Sequence, residues 1–90
     1  MRIKHKGLRA LHERDDLARL PPSWAPRLRR ILFRLQEATH PSSANAPGFR
    51  LHPLKGDRAG EWSISVTGNW RVVFRFEDGE VVDVDLIDYH

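Results

Sequence analysis

Residues 62–88 read WSISVTGNWRVVFRFEDGEVVDVDLID, and this stretch decides the fold. Trp62, Ile64 and Val66 alternate with Ser63 and Ser65, the period of a strand that buries one face and wets the other. Thr67-Gly68-Asn69 supplies a turn. Beyond it Trp70, Val72, Phe74 and Phe76 share one face, while Arg71, Val73 and Arg75 share the opposite one. Asp78-Gly79 is a strong hairpin signal, because both residues tolerate the left-handed backbone that a two-residue turn demands. Val82, Val84 and Leu86 then continue the inner face along a last strand that runs to the end of the sequence. Strands joined by such short turns form an antiparallel meander with one apolar face to cover.

The cover lies upstream. From Ser23 to Thr39 the apolar residues Trp24, Leu28, Ile31, Leu32 and Leu35 recur at helical spacing and build one stripe, with Arg27, Arg29, Arg30 and Arg34 on much of the remainder. Ser23 is placed to act as N-cap, and Pro26 falls in the first turn, where a missing N–H costs nothing. His40-Pro41 ends this helix, and PSSANAPG (41–48) reads as a polar loop. Nearer the start, GLRALHER reads as a brief helix with Leu8 and Leu11 on one side, and Pro21-Pro22 separates the two helices. Arg2 to His5 is suited to a short edge strand. Helices first and a meander afterwards predict an α+β fold, a single domain over 1–90 with its helices on one face of a curved antiparallel sheet.

Composition narrows the function classes. With no cysteine, neither a disulfide framework nor a thiolate metal site is available. No apolar run approaches the roughly 20 residues of a membrane helix, and the opening MRIKHKGLR lacks the apolar core of a secretion signal, so a cytoplasmic protein without membrane contact is expected. Net charge is only +3, yet it is unevenly spread. Residues 1–40 carry ten Lys/Arg against four acids, and residues 41–90 carry five against eight. Twelve of the fifteen basic residues are arginine, whose planar fork matches phosphate and carboxylate and so favours RNA or an acidic partner.

The sheet face turned away from the helices is expected to display Arg71 and Arg75, about 13 Å apart at roughly 3.3 Å per residue. Just before the first long strand, Arg50-Leu51-His52-Pro53-Leu54-Lys55-Gly56-Asp57-Arg58 gathers His, Lys and Arg around a Pro and a Gly. A basic loop over an arginine-bearing face is suited to phosphate. Asp88-Tyr89-His90 follows the last strand and adds a ring for stacking and a proton carrier active near neutral pH. These groups meet the needs of RNA cleavage through the 2′-hydroxyl, which requires a base, an acid and cations for the charge growing on phosphate. The spacing leaves open which group is base and which is acid. His5, His12 and His40 are scattered without a metal-binding spacing, no nucleotide loop or nucleophile elbow is present, and no cofactor is expected. Arg29, Arg30 and Arg34 of the long helix, with Arg58 and Arg75, are the candidate RNA or ribosome contacts.

The sequence resembles the HigB-type toxins of type II toxin–antitoxin systems, within the RelE/ParE superfamily. The similarity lies in the LHPLKGDR block (51–58), the W-S-x-x-V strand (62–66), the G-N-W-R turn (68–71), the terminal D-Y-H, the opening HKGL and the R-L-R-R-I-L helix. The resemblance implies a RelE-like fold and an endoribonuclease that enters the ribosomal A site and cuts translated mRNA. It also implies inhibition by a HigA-like helix-turn-helix antitoxin, through which the complex reaches operator DNA. Carried over by position, His52, Lys55, Arg71, Asp88, Tyr89 and His90 form the active-site blocks. Glu61 departs from the pattern, since similar proteins often carry an aromatic there. Two rivals stand beside this reading: a ParE-like gyrase inhibitor and an RNA-binding module without turnover.

Overall fold

A computed structural model describes residues 1–89; His90 lies outside the described residues. The meander is present as read. Strands β1 (His52–Pro53), β2 (Trp62–Thr67), β3 (Trp70–Glu77) and β4 (Glu80–Asp88) form one antiparallel sheet in sequential order. Asp78 and Gly79 both take positive φ (53° and 74°), which gives the β3–β4 turn the twist that its strands need. Helices α1 (Lys6–Arg14) and α2 (Ala25–Glu37) bury Leu8, Leu11, Leu28, Ile31, Leu32 and Leu35 in a core shared with Ile64, Val66, Val72, Phe74, Val81, Val84 and Leu86. The architecture is α+β, with helices on one face of the sheet.

Several local expectations need correction. Ser23 does not cap α2. Pro21-Pro22 start a 3₁₀ turn over Pro22–Trp24, closed by Trp24 N–H on the Pro21 carbonyl at 3.0 Å, and Trp24 becomes the N-cap residue without a side-chain bond. Residues Pro41–Ala44 form a second 3₁₀ turn, capped by His40, whose Nδ1 accepts from Ser43 N–H at 3.3 Å. The expected edge strand from Arg2 to His5 is reduced to one parallel bridge between Ile3 and Val84, because His5 already caps α1 by accepting from Gly7 and Leu8 N–H.

The last strand also departs from simple alternation. Phe76 pairs with Val81, Arg75 with Val82 and Val73 with Asp85, so an irregularity lies between Val82 and Asp85. Asp83 sits there with φ 54°. An extra residue at a bulge reverses the facing of everything before it. Val81 therefore joins the helix-side core, and Val82, expected inside, shares the outer side with Arg75. The outer face is not simply wet. Val73, Val82, Leu54 and Ser63 are buried outside the helix-side cluster, where the loop from Leu54 to Glu61, closed by Leu54 N–H on the Glu61 carbonyl at 2.9 Å, folds over the sheet.

Candidate functional site

Register fixes where the candidate groups stand. Across the sheet His52 pairs with Ser63, Ser63 with Val73 and Val73 with Asp85, so these four share one row of the outer face. The next row on that face is Ser65, Arg71 and Ile87. Tyr89 donates its N–H to the Asn69 carbonyl at 2.8 Å, which continues the ladder past β4, and alternation carries its ring to the side of Ile87 and Arg71. With strands about 4.8 Å apart and residues about 3.3 Å apart, Arg71 stands roughly 8 Å from Tyr89 and roughly 12 Å from His52, backbone to backbone. His52, Arg71 and Tyr89 thus lie along one diagonal, within reach of a single nucleotide backbone. Asp88 pairs with Trp70 and belongs to the strand edge on the other side. Lys55 is exposed at the start of the covering loop.

His52 is held in a defined protonation geometry. Its Nδ1 lies 2.9 Å from the Arg50 carbonyl oxygen. A carbonyl only accepts, so Nδ1 carries the proton and the neutral ring keeps its lone pair on Nε2. The imidazole is exposed, which leaves that nitrogen open to a substrate. The carbonyl is aimed by an unusual backbone. Arg50 adopts φ 55°, a left-handed conformation that non-glycine residues seldom hold without a compensating contact. Nothing in the linear pattern FRLHP marks this, and Arg50 was not among the expected site residues.

Arg71 is half-buried and folds back on its own turn, donating from Nη1 to the Gly68 carbonyl at 2.8 Å and to the Trp70 carbonyl at 3.1 Å. These bonds occupy Nη1 and hold the fork in place. Arg58 is paired with Glu61 at 2.8 Å, and the Glu61 side chain is only 12% exposed. The acid that stands where an aromatic was anticipated therefore neutralises one of the expected RNA contacts.

The helix arginines are engaged by their own chain. Arg29 places Nε and Nη2 on Asp15 Oδ1 at 3.1 and 2.9 Å. Arg34 grips the Asn45 carbonyl through two nitrogens, at 3.0 and 2.8 Å. Arg30 lies over the Phe49 ring at 5.5 Å. They sit on the helix layer, apart from the face that carries His52 and Arg71.

Comparison with known proteins places the chain. All of residues 1–90 match the HigB-like toxin model, described as the RelE-like toxin of the type II toxin–antitoxin system HigB. The chain belongs to the HigB-like toxin family. It is also similar to a Proteus vulgaris protein named Endoribonuclease HigB, at 40% identity over 88 residues, 98% of this chain and 96% of that protein. As a type II toxin of this family it has an antitoxin as its partner. No helix among the described residues of this HigB-like toxin is long and apolar enough to cross a membrane.

Two further residues of the toxin escaped the reading from sequence. Arg27 donates from Nε to the Ser65 carbonyl at 2.8 Å and from Nη2 to the Gly48 carbonyl at 2.6 Å, stapling α2 to β2 and to the segment that leads into Arg50. Its signal was positional, since it borders the stripe of Trp24, Leu28 and Ile31. Ser63 was read as a wet residue, yet it is 1% exposed and its hydroxyl has no partner among the described residues.

Proposed function

We propose that this toxin is an endoribonuclease that cuts translated mRNA through the RNA's own 2′-hydroxyl on the outer face of the sheet. One observation carries the reading: His52 offers an open, proton-accepting Nε2 on the same face as Arg71 and Tyr89, in a chain similar to a protein named as an endoribonuclease. His52 Nε2 takes the proton of the 2′-hydroxyl. The 2′-oxygen attacks phosphorus, and the P–O2′ bond forms as the P–O5′ bond breaks. Arg71 and Lys55 stabilise the charge that grows on the non-bridging oxygens, the kind of electrostatic help worth most in a partly dry site. His90 returns a proton to the leaving 5′-oxygen and Tyr89 stacks on a base beside the cut, while Asp88, of the same C-terminal block, faces the other side of the strand and has no step of its own. The products are a 2′,3′-cyclic phosphate and a 5′-hydroxyl, and the protein's own acid, base and cations suffice for the step.

The same reading sets the toxin in the cytoplasm, in the A site of the ribosome, with Arg75 meeting RNA, while the other candidate contacts, Arg58, Arg29, Arg30 and Arg34, are held by Glu61, Asp15, the Phe49 ring and the Asn45 carbonyl. Its antitoxin is a HigA-like helix-turn-helix protein that brings the complex to operator DNA. The test is end-mapping of mRNA cut on purified translating ribosomes by the full chain. A cyclic or hydrolysed 3′-phosphate is expected, and cleavage should persist in EDTA once Mg²⁺-dependent ribosome integrity is controlled. Fragments ending in a 3′-hydroxyl would overturn the mechanism. Gyrase inhibition with no cut would overturn the function.

A further inference from the structure

One cation of the outer face is not consumed by this chemistry. Arg75 stands four residues beyond Arg71 on β3, roughly 13 Å away. The row that holds His52 passes between them at Val73. Its guanidinium forms no hydrogen bond or ion pair among the described residues. It lies instead against the bare backbone of Gly60, where a Cβ would come within 2.8 Å of Nη2. Gly60 also has φ 97°, which side-chain-bearing residues rarely adopt.

Arg75 forms part of a cavity of about 520 Å³, lined by Lys4, Asp57, Arg58, Glu61, Arg75 and Asp83. The lining holds three cations and three carboxylates, but they do not all pair with one another. Glu61 is taken by Arg58 at 2.8 Å, and Asp83 is taken from outside the cavity by Arg2 at 3.2 Å. Arg75 and Lys4 remain against Asp57 alone, so the cavity together with Arg2 at its rim carries one net positive charge. Lys4 is fixed there by its backbone, whose N–H donates to the Val84 carbonyl at 2.7 Å.

We propose that this cavity is a second phosphate subsite: it takes a backbone phosphate of the RNA other than the one being cut, with Arg75 and Lys4 as its cations. The inference rests on the outer face being the RNA face, and it adds where the strand goes after passing His52.

The test uses the full chain and an uncleavable, fully 2′-O-methylated RNA oligonucleotide in which each phosphate in turn is replaced by a neutral methylphosphonate. In the wild type, one replacement that weakens binding should lose its effect in Arg75→Ala, and a different one should lose its effect in Arg71→Ala. The salt dependence of Arg75→Ala should be shallower by about 0.7 in log–log slope, the single-strand value for one phosphate contact. Arg75→Lys should recover most of that slope. Coupling of Arg71 to a phosphate with none for Arg75, or coupling of both to the same phosphate, would overturn the second subsite and leave the RNA face standing. Coupling at neither, or no binding of the oligonucleotide, would overturn the face as well.

Discussion

The arginines of α2 and those of β3 are indistinguishable as charges in the sequence, but the fold uses them in opposite ways. Arg27, Arg29 and Arg34 spend their guanidiniums on the chain's own acceptors: Ser65 and Gly48 carbonyls, the Asp15 carboxylate and the Asn45 carbonyl. On β3, Arg71 is braced by its own turn and Arg75 makes no hydrogen bond or ion pair among the described residues. Counting basic residues in the first forty positions therefore overstates the charge available to RNA and understates the work of holding the fold. The difference has a physical origin. The loop after α2 and the irregular end of β2 leave carbonyls that need donors, at Asn45, Gly48 and Ser65, whereas regular strand backbones satisfy one another in the ladder. An arginine next to irregular backbone becomes a staple, as Arg71 is in part beside its turn, and Arg75, above the regular ladder, stays available.

The largest effect should come from the outer face at its C-terminal edge. Deleting Tyr89 and His90 removes a ring and a proton carrier but little of the core, whose β4 members end at Leu86. Cleavage on ribosomes should fall by about 10²–10⁴-fold, the usual worth of a general acid or base. Tm and antitoxin binding should change little, apart from loss of the Tyr89 N–H bond to Asn69. A truncated chain that cuts at a near-normal rate would move the burden to His52, Lys55 and Arg71. An unfolded one would make the terminus structural.

Next in size is the backbone under His52. Arg50→Gly permits the left-handed turn and keeps the same carbonyl, so both cleavage and the Nδ1–H tautomer, read from imidazole ¹⁵N shifts, should be retained. Arg50→Val disfavours that turn, a β-branched residue at positive φ being strongly strained. Its rate should fall by about 10–100-fold, the scale of a small misplacement at a reacting group. The ¹⁵N shifts should then report a mixture of tautomers. Equal behaviour of the two variants would show that the carbonyl does not set the ring.

Arg27 should affect stability before rate. Its two bonds to carbonyls come from a charged donor, each worth about 1.5–3 kcal/mol when lost. Arg27→Ala should cost about 2 kcal/mol net once water partly replaces them, lowering Tm by roughly 10 °C for a domain of this size. Cleavage per folded molecule should change less, measured well below the new Tm. A loss of rate with Tm intact would place Arg27 on the RNA side of the comparison.

What the sequence made legible, and what it hid, follows the same division. The meander, both helices, the Asp78-Gly79 hairpin and the family blocks were readable because each is a local pattern with a fixed period or turn requirement. The conformation of Arg50 and the bulge at Asp83 were not, since neither position holds glycine and no repeat announces a reversal of facing. Val82 was misplaced for that reason. Ser63 was misjudged because period alone cannot foresee a loop folding over the wet face. Its unpartnered buried hydroxyl makes a signed prediction. An unsatisfied buried polar group costs about 1–3 kcal/mol, so Ser63→Ala should raise stability by about 1 kcal/mol after the small loss of packing. A drop in stability on thermal or urea unfolding would mean that an ordered water satisfies the hydroxyl.

The smallest effect is expected at Arg29, and it tests the comparison most directly. Its pair with Asp15 is well aligned, with two nitrogens on one oxygen, but the side chains are 48% and 73% exposed. Exposed pairs contribute about 0–1 kcal/mol, because water screens the attraction and two long side chains lose freedom. Asp15 adds a local reason for keeping the pair. It is the C-cap of α1, with φ 54°, where a carboxylate meets the negative end of the helix dipole. Arg29 offsets that repulsion, so Arg29→Ala should lower Tm only slightly, and less at high salt. If Arg29 is a staple like its neighbours, the variant should bind ribosomes with an unchanged salt slope while Arg75→Ala does not. A slope shallower by about 0.7–0.9 for Arg29→Ala would mean that the Asp15 pair opens to meet phosphate, and the helix layer would then share in RNA binding after all.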